Sequence, residues 1–172
     1  MRIPKTVSDG EKLDRMKRIE SLMWKFLSWL YHKLIKAPIP VVDIIIEKDG
    51  RILLLHRAIY PFIGKLVIPG GKVEYGETVE NAAIREAKEE TGLKVGLKKL
   101  FGVYSNPKRD PRMHSISAVF IAKPVKGNLK SSYEGKVEWF DLDEIDLSNM
   151  GFDHSQILKD YIRLKKRINK NR

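Results

Sequence analysis

Residues Gly71–Leu93, GKVEYGETVENAAIREAKEETGL, set Glu77, Glu86, Glu89 and Glu90, four of their six glutamates, and Arg85 among three glycines, Gly71, Gly76 and Gly92. The pattern predicts a helix that begins near Thr78, after Gly76 closes the preceding loop. It stops at Gly92, a residue suited to the left-handed position past a helix end. Glu86, Glu89 and Glu90 stand at i, i+3 and i+4, which predicts three carboxylates on one helical face. Like charges held that close repel, so the face is either solvated or compensated.

A hard divalent cation with oxygen ligands compensates such a face, and Mg²⁺ is the first candidate. The flanks favour this over a plain solvated surface. Leu66-Val67-Ile68-Pro69 reads as a short strand ending in the tight turn Gly70-Gly71, which brings backbone carbonyls close to the helix start, an approach glycine allows. Arg85 can pair with Glu89 at i+4 or with Glu77 near the helix start, fixing carboxylates that would otherwise swing freely.

The stretch resembles the Nudix box: glycine, five residues, glutamate, seven residues, Arg-Glu, an aliphatic or small residue, any residue, Glu-Glu, any residue, glycine, aliphatic. Gly71, Glu77, Arg85, Glu86, Glu89, Glu90, Gly92 and Leu93 meet every fixed position. Ala87 stands where a larger aliphatic is more usual. The resemblance implies an α/β fold, a Nudix-type α/β/α sandwich with a mixed sheet, and substitution at phosphorus. It implies Glu86 and Glu90 as the main metal ligands, with Glu89 assisting and the Gly70 carbonyl as a further donor. Glu77, Gly71 and Arg85 would hold the box in shape, Arg85 close to the chemistry. The implied cofactor is Mg²⁺, with Mn²⁺ as a substitute. The implied general base is a box glutamate such as Glu89, or Glu134 from the later SSYEG loop, which also reads as a solvated loop residue.

At 172 residues, the chain has room for one domain with a full core. The absence of cysteine excludes disulfides and thiolate metal sites and suits a reducing cytoplasm. The charged N-terminus lacks the apolar core of a secretory signal. Of the net charge of +11, residues 1–36 carry +5 and residues 151–172 another +5, leaving the middle almost neutral.

The spacing of Leu13, Met16, Ile19, Met23, Phe26 or Leu27, Leu30 and Leu34 predicts a basic amphipathic helix over residues 11–36, outside the core pattern. Fully helical, it would extend ~39 Å. Its apolar run is too short to span a membrane, which needs ~20 residues. It reads as a docking or homodimerisation element over 1–36, ahead of a catalytic domain over 37–172. A basic helix with two tryptophans also suits an anionic membrane surface, which would make the protein peripheral to one. The basic ends leave nucleic acid as a further partner.

VVDIIIE (41–47) and RILLLHR (51–57) read as strands joined by Lys48-Asp49-Gly50, a strong hairpin signal. Their continuous apolar character predicts a sheet covered on both faces. Further strands are predicted at 66–68, 98–104, 115–122 and 137–140, a helical turn at 142–145, and a basic closing helix over 153–169.

The loop YSNPKRDPRMHSIS resembles that of the ADP-ribose pyrophosphatase subgroup, which carries Asp-Pro-Arg and a histidine here. Asp110, Arg112 and His114 are therefore candidate substrate-binding residues, together with Arg57; an arginine fork suits phosphate. Asp110 and Arg112 would alternatively brace their own loop, and Met113 stands where glycine is more usual. Pro107 lies fourteen residues beyond Leu93, close to a marker proline of that subgroup. GFDHSQIL also resembles its closing helix. The implied activity is Mg²⁺-dependent cleavage of a small nucleoside diphosphate derivative, ADP-ribose foremost, to AMP and ribose 5-phosphate. The alternatives are nucleoside triphosphates, dinucleoside polyphosphates or RNA caps as substrates. Outside catalysis, the alternative is a Nudix-fold module that binds RNA or protein.

Overall fold

The computed structural model describes residues 22–31, 33–34 and 37–170. The chain divides into two compact units, Met1–Ala37 and Pro38–Arg172. In the first, the described residues 22–31 and 33–34 are helical (α1). The rest of the helix expected over 11–36, with Leu13, Met16 and Ile19, lies outside the described residues. Among the described residues no helix is long and apolar enough to cross a membrane.

The second unit is organised on one strand, β1 (Ile39–Lys48). Its alternating side chains are buried on both faces, as continuous β-branched character dictates. Val42, Ile44 and Ile46 enter one apolar layer, with Ala82, Ala83 and Ala87 of the box helix α2 (Val79–Thr91). Ile45 enters the other, with Ile157, Leu158 and Tyr161 of the closing helix α3 (His154–Lys170). The result is a mixed sheet between two helices. The three small alanines let α2 lie close to the sheet, and Ala87, fully buried, is one of them.

β1 runs parallel to β6 (Ser115–Lys126) over eight register pairs from Ile39↔Ser115 to Ile46↔Ala122. It also runs antiparallel to the short β4 (Gly70–Lys72). At Asp49-Gly50, where Asp49 takes φ 51° and Gly50 φ 80°, the chain reverses into β2 (Arg51–Arg57). That hairpin pairs only Glu47↔Ile52 and Lys48↔Arg51 before the strands diverge. β2 then pairs with β7 (Gly135–Asp141) and with β3 (Leu66–Val67), while β5 (Lys94–Tyr104) lies antiparallel to β6.

Most expected strands are present with longer ends, and β5 begins four residues early. β4 was expected as a turn alone; pairing with β1 makes Gly70-Gly71-Lys72 a strand. Residues 142–144 form a turn, and the helical piece falls later, a 3-10 turn at Leu147–Asn149. Asp146 caps it by accepting the Ser148 N–H at 2.9 Å.

Candidate active site

α2 begins and ends on local chemistry. The Thr78 side chain accepts the Asn81 N–H at 3.2 Å, and Gly92, at φ 75°, returns its N–H to Lys88. Glu86 and Glu90, one turn apart and ~40° apart around the axis, both line a cleft of about 400 Å³ beneath β4. Glu89 lies ~100° from Glu90 around the same axis and leaves the cleft. Its side chain is 59% exposed and meets Arg85 at 3.3 Å. The expectation of three carboxylates on one working face is corrected to two.

Arg85 ties the box together. It donates to Glu77 at 3.0 and 2.9 Å, to Glu86 at 2.8 Å and to the Lys72 carbonyl at 3.0 Å. These bonds hold the Glu77 carboxyl below its ordinary range. The Gly70 N–H donates to Glu90 Oε2 at 2.9 Å. Gly71 lies so close to the helix that a Cβ there would stand 2.2 Å from Glu86 Oε1.

Glu134 closes the cleft from the other side. β2 and β7 pair Arg57 with Gly135, which puts Glu134 beside the end of β2. The Ala58 N–H donates to the Glu134 carbonyl at 2.7 Å, and Arg57 Nη1 reaches the carboxylate at 3.3 Å. Burial pushes the Glu90 carboxyl well up, and the Glu134 charge adds to it, against the Gly70 N–H. Burial also raises Glu86, which Arg85 partly offsets.

Buried carboxylates pushed toward their neutral forms, with Arg85 and Arg57 as the adjoining counter-charges, are a donor set that fits a hard divalent cation. Glu86, Glu90 and the Gly70 carbonyl are the groups on hand. Among the described residues, no three acidic or histidine side chains already converge in ligand geometry. Glu86 is turned to Arg85 and Glu90 to the Gly70 N–H.

In the 106–114 loop, Asp110 grips Arg112 with both oxygens, at 3.0 and 2.8 Å. Both line the cleft, Asp110 buried and bracing the loop, Arg112 34% exposed. His114 is exposed and is not among the residues lining the cleft; its carbonyl accepts the Ile39 N–H at 2.9 Å. Arg57 lines the cleft but is 93% buried, with Nε on the Pro61 carbonyl at 2.7 Å.

Sequence reasoning missed the polar network in the wall of the cleft, where Asp43, Arg109 and His154 lie. Asp43 of β1 takes Arg109 Nη2 at 2.8 Å, the Ser117 hydroxyl at 2.6 Å and His154 Nε2 at 3.2 Å. His154 Nδ1 accepts the Ile68 N–H at 2.9 Å, so this nitrogen carries no proton, and Nε2–H faces Asp43. Burial raises the Asp43 carboxyl, but His154, Arg109 and Ser117 outweigh it and hold the group far below its ordinary range. The available signal was a lone carboxylate inside an apolar strand, which has to be paired when buried.

An acidic helix face capped by a glycine-rich turn, on a mixed sheet between two helices, defines the class. The chain belongs to the NUDIX domain family, which matches residues 37–161, and it is a Nudix hydrolase. It is 52% identical over 135 residues to the ADP-ribose pyrophosphatase of Methanocaldococcus jannaschii, covering 78% of this chain and 79% of that protein. Among solved structures, a NUDIX hydrolase from Nitrosomonas europaea is 30% identical, with a TM-score of 0.70 over 77% of this chain and 74% of its own. The bifunctional NMN adenylyltransferase/ADP ribose pyrophosphatase of Francisella tularensis, solved with AMP and a Mn ion, is 25% identical with a TM-score of 0.70. That match covers 90% of this chain and 48% of the other.

Proposed function

We propose that this hydrolase cuts the pyrophosphate of a nucleoside diphosphate derivative, ADP-ribose foremost, to AMP and ribose 5-phosphate, with Mg²⁺ as cofactor and Mn²⁺ as a substitute. The observation that carries the reading is the meeting of Glu86, Glu90 and Glu134 in one cleft that Arg112 also lines. The high identity to a protein named for ADP-ribose hydrolysis supports the substrate.

Glu86, Glu90 and the Gly70 carbonyl would hold the cation. When bound, the metal neutralises pyrophosphate oxygens and lowers the pKa of water. Glu134 takes a proton from the attacking water as its oxygen bonds to phosphorus and the bond from phosphorus to the bridging oxygen breaks. The leaving phosphate keeps the electron pair. Glu89 is the rival base, and its exposure on the Arg85 side favours Glu134. Arg112 retains donors beyond its Asp110 pair and meets substrate phosphate. Arg85 and Glu77 orient Glu86.

The test is turnover of a panel: ADP-ribose, ADP-glucose, diadenosine polyphosphates, NADH, 8-oxo-dGTP and capped RNA, with Mg²⁺ and with chelator. Preference for ADP-ribose that chelator abolishes supports the reading. Preference for a triphosphate or cap discards the substrate while keeping the box, and no turnover of any substrate moves the role to binding. Glu134→Gln should lower kcat about 10²-fold or more; full activity in that variant returns the base to Glu89.

The leading helix is part of the same reading, as a homodimerisation element in a cytoplasmic enzyme. Its described part exposes Trp24 (67%) and Leu34 (74%), apolar surface that a second copy would cover. A monomer in light scattering overturns this role. RNA or an anionic membrane would instead reveal itself by binding that falls steeply with salt.

A further inference from the structure

Two phenylalanines of the catalytic unit have positive φ: Phe62 at 68° and Phe152 at 53°. The left-handed region is costly for so bulky a side chain, and such strain persists only where the surroundings hold it. The two residues are in contact. Their rings meet edge to face at 4.8 Å, and Gly151 lies beneath Phe62, where a Cβ would fall 2.9 Å from Phe62 Cβ. The Gly151 N–H donates to the Leu66 carbonyl at 2.9 Å, so the pair is fastened to the strand entering the box turn.

The Phe152 ring, held in this conformation, lies within reach of two cations of the cleft. Arg57 Cζ stands 5.3 Å and Arg112 Cζ 5.6 Å from its centroid, both within cation–π range. The two arginines come from separate parts of the chain: Arg57, at the end of β2, braces Glu134, and Arg112 lies in the 106–114 loop.

We propose that Phe152 is a positioning residue: its ring is the shelf on which both guanidiniums are set, fixing the phosphate-binding arginine and the Glu134 brace against each other. This rests on the roles given above to Arg112 and Glu134. It adds a requirement for an aromatic face, where bulk alone would not serve. The ring touches no reacting atom; it acts through the arginines.

The experiment compares Phe152→Leu, which keeps bulk, with Phe152→Tyr, which keeps the face, in the full chain with ADP-ribose and Mg²⁺. The leucine variant should raise KM and lower kcat, each about three- to thirtyfold, the range from an exposed to a desolvated cation–π contact. The tyrosine variant should return both to within about threefold. In an Arg112→Gln background the leucine change should add nothing to KM, and in a Glu134→Gln background nothing to kcat. Equal impairment of the leucine and tyrosine variants, or a KM effect that persists without Arg112, overturns the proposal.

A readout independent of turnover is the NMR signal of the arginine side chains. The ring current on Arg57 and Arg112 should vanish in Phe152→Leu and remain in Phe152→Tyr. Unchanged arginine signals in a folded leucine variant overturn the proposal whatever the substrate. Failure of the wild type on every panel substrate, with the signals shifting as stated, instead overturns the ADP-ribose reading alone.

Discussion

The Gly70 N–H donates to Glu90 Oε2 at 2.9 Å, so the glycine turn and the box helix are fastened through the most buried carboxylate of the cleft. Glutamine keeps an acceptor for that N–H and loses the charge. Glu90→Gln should therefore fold and lose activity by about 10²-fold or more. A stable variant with full turnover would remove Glu90 from the metal site.

The same substitution should stabilise the cation-free protein. Burial and Glu134 oppose ionised Glu90, and glutamine removes that opposition. With chelator present, Tm should rise about 2–4 °C for each kcal/mol relieved. Mg²⁺ should raise the Tm of the wild type and not of the variant. Calorimetry with and without chelator checks both.

Gly70 and Gly71 should respond differently to alanine. At Gly71 the new Cβ would meet the end of the Glu86 side chain at 2.2 Å, which can swing aside. Gly71→Ala should fold with near-native stability and a weakened metal dependence. At Gly70 the Cβ would meet the Val42 carbonyl at 2.1 Å, which is backbone. Gly70→Ala should cost about 2–4 kcal/mol in urea unfolding.

Asp43 and Arg109 form a buried ion pair in a network with Asp153, Ser117 and His154, and removing either partner unbalances its buried charge. Arg109→Met and Asp43→Ala should each cost about 3–5 kcal/mol. A double-mutant cycle should show strong coupling, the double variant losing less than the sum. Additive losses would deny that the pair acts as a unit.

Acid should weaken the fold through two carboxylates of β1. Asp43 lies far below its ordinary range, and Glu47 at about 2: burial raises it, but Lys165, Lys98 and Tyr161 outweigh that. Both folded pKa values are depressed below the unfolded ones near ~4. Their contribution is therefore full above about pH 5 and is lost as pH falls through ~4 toward 2. Urea midpoints from pH 7 to 3 should drop accordingly, and Glu47→Gln should flatten the fall.

What could be read from the sequence was local. Thr78 and Gly92 bound α2 through bonds within one turn, and Asp49-Gly50 makes its hairpin with its own neighbours. β4 could not be read, because Gly-Gly-Lys has no strand propensity of its own and takes its form from β1. The spacing of Glu86, Glu89 and Glu90 was right as a helix, but only the position of the sheet decides which two face inward. Arg112 and Asp110 both line the cleft, Asp110 gripping Arg112, and the His114 carbonyl meets Ile39; these partners depend on the path of the loop. Asp43 was passed over in its apolar strand, and its partners Arg109 and Ser117 lie 66 and 74 residues away. Which polar residues meet across such distances is set by topology, not by residue type.

α3 carries partners for both carboxylates of β1: His154 at its first residue for Asp43, Tyr161 and Lys165 farther along for Glu47. The Tyr161–Glu47 contact spans 114 residues of sequence. During synthesis, therefore, β1, β2 and the box leave the ribosome with two acidic groups in their central strand still short of these partners. The box can be helical by then, but the Ile68 turn lacks the His154 latch until α3 emerges. Chain order thus makes assembly of the cleft a late event, completed by the helix on the opposite face of the sheet.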